Sequence, residues 1–197
     1  MKNVKEKTNE INMYAKQFLT ESRYLHSVRV AEYAKHLSEI YTEEEVDPNI
    51  AYFAGLSHDI CKNSGDTELV KITEEDGLGI DEVEKKRLNL LHGRASAIIL
   101  KNKFGIKDQS VLNAVAFHTF GYEDIDALGK IIFIADKIEP GREPETEKFR
   151  NLAGKISLNE LMLKVIDDRS AYILKKNGSI HENTKKMYNK IKLEELK

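Results

Sequence analysis

The amino-acid sequence predicts an all-α protein, a bundle of helices, and three observations lead there. Gly and Pro number only 11 and 3, and long stretches free of both favour helices. Apolar residues recur three and four apart through most of the chain, the period of a helix face. The period-two alternation and turn dipeptides of strands are essentially absent.

The elements follow in order. Residues 4–20 read as a first helix with an apolar stripe of Ile11, Tyr14, Ala15 and Phe18. Glu21-Ser22-Arg23 marks a break, with Ser22 as N-cap. Residues 23–41 form a second helix, in which Leu25, Val28, Val30, Ala34, Leu37 and Tyr41 recur at helical spacing. Asp47-Pro48 opens a third, with proline in the first turn. Its body, Ile50 to Ser57, is almost entirely apolar and predicts burial. Asn63-Ser64-Gly65-Asp66 is a loop, and the charged run from Thr67 to Arg87 suits one or two short surface helices. Helices are expected over 92–104, ending at Gly105, and over 108–118. In the next, 125–138, the run Ile131 to Ala135 is apolar on all sides and marks a central helix. Glu139-Pro140-Gly141-Arg142 is a turn. Two late helices, 157–176 and 182–196, are separated by a stop at Asn177-Gly178.

Composition narrows the function. The 197 residues suit one domain. Lys and Arg number 31 against 33 Asp and Glu, a net charge of −2. That balance gives no footprint for nucleic acid. No run of about 18 apolar residues is present, so no membrane span is expected. The charged N-terminus lacks the apolar stretch of a signal peptide. The lone Cys61 excludes an internal disulfide framework. A cytoplasmic protein is expected.

Six histidines are present, and four of them, with two aspartates, form an ordered set: His26, His58-Asp59, His92, His118 and Asp136. All sit in or beside apolar helical segments. Imidazole and carboxylate hold Zn, Mn or Fe while leaving room for water or a substrate oxygen. Any one histidine alone is more often structural, and a buried His-Asp pair is also an ordinary hydrogen-bonded couple. Asp136 is harder to dismiss, because Ile132 shares its helix face. An ionised carboxylate there costs several kcal/mol without a cation, a role open to a metal, Arg142 or Lys137. His36 falls off the His26 face and reads as surface. Cys61 is either a soft ligand or, better, a small buried hydrophobe.

The ordered set resembles the HD-domain metal-dependent phosphohydrolases, whose pattern is H…HD…H…H…D. Five stretches bring the resemblance closer, to the bacterial YqeK family: Arg23 to Ala31, Ala54 to Lys62, Leu91-His92-Gly93, His118-Thr119-Phe-Gly121 and Ala135 to Arg142. It spans about residues 10–190. Ser57 departs from it, standing where the family more often has an apolar residue. The resemblance implies a single HD domain over 1–197, with a core at about 22–140 and C-terminal helices at 157–196 that complete the nucleotide site. It implies symmetrical hydrolysis of diadenosine tetraphosphate to two ADP. It further implies iron held by His26, His58, Asp59 and Asp136, with room for a second ion and manganese as a substitute. Catalysis would fall to Asp59, His92 and His118, the two histidines facing the phosphates or holding a second ion. Arg23, Lys62, Thr119 and Arg142 match positions that contact the nucleotide, substrate or product (ADP or GDP). Ser179, His181, Asn183 and Thr184 match a loop that closes on the nucleoside. The alternatives are another HD nucleotide phosphohydrolase, a cyclic dinucleotide phosphodiesterase and a nucleotide-binding regulatory module. The apolar first helix offers a face for a homodimer.

Overall fold

The computed structural model describes residues 3–196. Among them there are eleven α-helices and no strand. The first three are α1 (Val4–Phe18), α2 (Glu21–Ile40) and α3 (Pro48–Ser57). The short α4 (Asp66–Thr73) and α5 (Glu82–Lys86) lead to α6 (His92–Asn102) and α7 (Gln109–Ala116). Then come α8 (Ala127–Ile138), α9 (Glu147–Arg150), α10 (Leu158–Lys175) and α11 (Glu182–Glu194).

As its sequence predicts, α8 is the central helix. Ile131, Ile132, Ile134 and Ala135 have no exposed surface, and α8 packs against α2, α3, α7 and α10. Asp126 caps its start by accepting from the Gly129 amide. The apolar α3 is likewise buried and lies along α2 and α1. A Cβ on Gly55 would lie 2.7 Å from the Ala31 Cα, so the α2–α3 approach depends on a residue without a side chain. Ser57 fits its buried position because its hydroxyl donates back to the Phe53 carbonyl at 2.6 Å.

Several local expectations are corrected. Thr20, not Ser22, is the N-cap of α2, with its side chain making no capping bond. Phe18 and Leu25 fall off the buried stripes and are exposed, as is Met13. The 67–87 segment is not simply surface. Leu69 and Thr73 are buried, and so is Glu84, which ion-pairs with the buried Arg94 of α6 at 2.8 Å. His118 lies two residues beyond α7 rather than closing it. Asn177 stops α10 as expected, through a left-handed φ of 57°. The last helix is capped by the His181 ring, which accepts from the Asn183 amide.

Candidate functional site

The six singled-out residues converge. His26 comes from the second turn of α2, and His58-Asp59 from the C-terminal end of α3. His92 opens α6, His118 follows α7, and Asp136 sits in the last turn of α8. Among the six, only Asp136 is not fully buried. His26 and His58 meet edge to face at 5.3 Å between ring centroids, and His58 and His118 at 4.8 Å.

Hydrogen bonding sets the tautomers. Nδ1 of His58 lies 2.7 Å from the Gly55 carbonyl, that of His92 2.6 Å from Asn89, and that of His118 2.8 Å from Val115. A carbonyl oxygen only accepts, so each Nδ1 donates, and in the neutral ring Nε2 carries the lone pair. These lone pairs face one another. His92 Nε2 is 3.1 Å from His118 Nε2 and 2.9 Å from Asp59 Oδ1. His58 Nε2 is 3.6 Å from Asp59 Oδ2 and 3.7 Å from Asp136 Oδ1. Two of these buried atoms, His58 Nε2 and Asp59 Oδ1, have no hydrogen-bond partner. Leaving such an atom unsatisfied costs about 1–3 kcal/mol. A cation between them removes that cost, and a mixed imidazole and carboxylate donor set suits a first-row divalent ion. His26, His58 and Asp136 form one group with metal-ligand spacing, and His58, Asp59 and His118 form another, each within 4.8 Å. Cys61 belongs to neither; it is buried, and burial pushes its thiol up to about 11.

Burial holds His58 and His118 below the ordinary imidazole value, and at His118 the like charges of His58 and His92 add to it. Burial alone would raise both aspartates. Instead His58, His92 and Lys62 hold Asp59 well below the usual carboxylate range, and Lys137, His26, His58 and Arg142 do the same for Asp136. Asp136 meets Arg142 at 2.7 Å and Lys137 at 3.2 Å. Both salt-bridge partners expected as the alternative to a metal are therefore present. The orphaned His58 Nε2 and Asp59 Oδ1, rather than Asp136, call for an ion.

His26 is held differently. Its Nδ1 lies 3.1 Å from Oε1 of Glu139, a carboxylate that is 1% exposed. Glu139 Oε2 accepts from Arg29 Nε at 2.7 Å and from the Gly141 amide. Burial would raise this carboxyl, but the His26, Arg29 and Gly141 bonds bring it down to about 2. The sequence places Glu139 in a turn and within the family-like stretch Ala135 to Arg142 without a role of its own; its signal is a carboxylate three residues after Asp136, immediately past a buried helix. Gly93, beside His92, fixes the α6–α7 approach. A Cβ there would meet the Ala116 carbonyl at 2.7 Å and His118 Cε1 at 3.1 Å.

The centre opens into a cleft of about 650 Å³. Arg23, Lys62, Lys86, Arg87, Lys137, Arg142 and Arg169 line it against only Asp59, Asp136 and Glu143, a strongly cationic lining on a chain of net charge −2. Lys62 donates to His92 Nε2 at 3.0 Å, Arg23 lies 3.6 Å from Asp59, and the Thr119 hydroxyl is 3.3 Å from His118 Nε2. Ser179, His181 and Thr184 also line the cleft, whereas Asn183 lines a smaller adjoining cavity of about 160 Å³. The His181 ring is already engaged. It stacks on Phe120 at 4.0 Å, and Nε2 donates to Asp81 at 2.8 Å. Thr184 donates to the Phe120 carbonyl at 2.7 Å. Phe120, Lys137, Arg87 and Arg169 were not singled out as cleft residues, because nothing local in the sequence places them there.

This fold and centre are those of an HD domain: the HD-domain family matches residues 23–141, and the chain belongs to it. The chain is 35% identical over 172 residues to the symmetrical bis(5'-nucleosyl)-tetraphosphatase of Staphylococcus aureus, covering 86% of this chain and 87% of that one. It is 30% identical over 175 residues to the enzyme of the same name from Bacillus subtilis, covering 88% and 91%. A crystal structure of a predicted HD superfamily hydrolase involved in NAD metabolism, from Clostridium acetobutylicum, superposes with a TM-score of 0.86. The two chains are 35% identical, with 94% of this chain and 97% of that one covered. Within the HD domains, the chain therefore belongs to the family of symmetrical bis(5'-nucleosyl)-tetraphosphatases.

Proposed function

We propose that this protein hydrolyses diadenosine tetraphosphate, and related dinucleoside tetraphosphates, symmetrically to two nucleoside diphosphates in a metal-dependent reaction. The observation that carries this is the set of inward-facing, unsatisfied ligand atoms of His58 and Asp59 at the floor of a cationic cleft. The names of the relatives supply the substrate. His26, His58, Asp59 and Asp136 hold the metal, and iron, with manganese as a substitute, suits their imidazole and carboxylate donors. Such an ion supplies Lewis-acid activation of water and of the phosphoryl group.

The chain's own residues do the rest. Lys62, Arg23 and Arg142 neutralise the central phosphates, Arg142 with a planar fork. Lys137 is pinned to Asp136 and to the His118 carbonyl at 2.8 Å, so it orients those groups. His92 and His118 take a second ion through Nε2 or, without one, His92 holds the proton that the departing diphosphate needs, because burial keeps His118 neutral. Thr119 and the Ser179–Thr184 loop, at the start of α11, hold one nucleotide. Within that loop His181 and Thr184 brace Phe120, Ser179 faces the nucleotide, and Asn183 stands behind it. The C-terminal helices thus complete the site built on the 22–140 core. Nucleotide turnover suits a cytoplasmic enzyme, and the exposed Met13 and Phe18 of α1 suit the expected homodimer.

Asp59→Ala tests the assignment. It is expected to lose bound metal and turnover together, measured by metal analysis and product release on the same sample. Full activity in that variant sinks the assignment.

A further inference from the structure

The cations of the cleft fall into two tiers. Arg23, Lys62, Lys137 and Arg142 each lie within 4 Å of Asp59 or Asp136. These serve the metal centre and the bond to be cut. The outer tier makes no such contact. Among the described residues, neither the Arg87 nor the Arg169 guanidinium has an ion pair or hydrogen bond, and Arg169 lies 5.0 Å from the Tyr172 ring.

The outer tier divides between two walls. One is α10 with the loop that follows it. It brings Arg169 with the aliphatic Ile166 and Ile173, next to Ser179. The other is the segment 83–90, formed by α5 and the single 3-10 turn Leu88–Leu91 that leads into His92. It brings Lys86 and Arg87 with the aliphatic Val83 and Leu90. Each wall thus offers guanidinium charge beside aliphatic surface, the chemistry that receives a phosphate and a nucleoside.

The second wall is also held in place. Arg94 grips the chain just before it, donating to Asp76 twice at 2.9 Å and to the Leu78 and Gly79 carbonyls at 2.9 and 3.0 Å. Its remaining contact is Glu84 of α5 itself, at 2.8 Å. Asp81, the cap of α5, accepts from His181 of the loop that follows α10. A site held this way loses little entropy when it binds.

Symmetrical cleavage demands two such places. The bond broken is the central one, so equal lengths of substrate extend from the metal centre in both directions. The first wall and its loop take one half under the proposed function. We propose that the α5 wall, through Arg87 and Lys86 with Val83 and Leu90, is the subsite for the second nucleoside diphosphate, the half that leaves. This rests on the symmetrical tetraphosphatase reading above. It identifies the α5 wall as what distinguishes a dinucleotide from a single nucleotide.

The test uses the metal-loaded full chain with diadenosine tetraphosphate as substrate and ADP as competitive inhibitor. Arg87 and Lys86 are exposed, so their alanine variants keep the fold. Arg87→Ala is expected to raise KM for the tetraphosphate about tenfold, the equivalent of about 1.4 kcal/mol. The inhibition constant of ADP should stay within twofold, because ADP needs only the first half-site. Lys85→Ala removes a neighbouring charge that pairs with Glu82 at 2.7 Å and lies outside the cleft; it should leave KM unchanged. An unchanged KM in Arg87→Ala overturns the proposal. So does a parallel rise in the ADP constant, which would put Arg87 in the first half-site. An equal rise in Lys85→Ala would reduce the effect to long-range charge and also overturn it. Failure of the tetraphosphatase reading is a separate event, visible in the unaltered protein as absence of ADP production.

Discussion

Replacing Glu139 by glutamine changes one oxygen to an amide nitrogen and should weaken the metal centre from outside the ligand set. The carboxylate accepts from three donors: His26 Nδ1, Arg29 Nε and the Gly141 amide. Glutamine can accept on one side only. If its oxygen stays toward His26, its NH2 faces Arg29 and Gly141, setting donor against donor. The protein then loses an ion-paired hydrogen bond, worth about 1.5–3 kcal/mol. If the amide turns the other way, its NH2 donates to His26 Nδ1. The neutral imidazole must then carry its proton on Nε2, the atom that lies 3.1 Å from Asp136 and should bind the ion. Either way the ligand suffers, and loss of such an outer hydrogen-bond partner typically costs about 10–100-fold in metal affinity. Chelator competition on the metal-loaded variant measures the affinity, and urea unfolding of the metal-free protein measures the stability. Metal affinity within twofold of the unaltered protein, with an unchanged urea midpoint, would refute the assignment of Glu139 as the residue that orients His26.

Acid should erase the stability difference between the unaltered protein and Glu139→Gln. The Glu139 carboxyl is depressed from 4.5 to about 2, so its contribution is complete above about pH 4.5 and fades as pH falls toward 2. Urea midpoints of the two metal-free proteins should converge over that window, and a gap that persists to pH 2 contradicts the pairing. Gly93→Ala forces a Cβ against the Ala116 carbonyl and the His118 ring. It should cost about 1–3 kcal/mol of stability and lower turnover at saturating metal; an unchanged melting temperature goes against it. Arg94→Met strands the buried Glu84 and leaves the half-buried Asp76 unpaired, and should cost about 3–5 kcal/mol by urea unfolding. A loss below about 1 kcal/mol would show that the 76–84 segment does not depend on that cluster.

The helices were legible because their signals are local. The apolar run Ile131 to Ala135 announces a central helix wherever it packs, and Asp47-Pro48 announces a helix start. The candidate site was legible because histidine and aspartate beside apolar residues demand a reason. Other features depend on partners far along the chain. Glu139 looks like a turn residue until α2 brings His26 and Arg29 against it, 113 and 110 positions away. Glu84 looks like one more surface charge until Arg94 buries it. Phe18 and Leu25 show the reverse. Their spacing fits an apolar stripe, but the neighbouring helices leave them uncovered. His181 lines the cleft, as the resemblance implies, but what the sequence does not show is that Phe120, Asp81 and the Asn183 amide hold its ring.

The most direct test of the central claim is product analysis. The purified protein, loaded anaerobically with Fe(II) or Mn(II), is incubated with diadenosine tetraphosphate and the nucleotides are separated. ADP as the sole product is the predicted result. AMP with ATP, or no turnover with metal demonstrably bound, would contradict symmetrical cleavage at this centre.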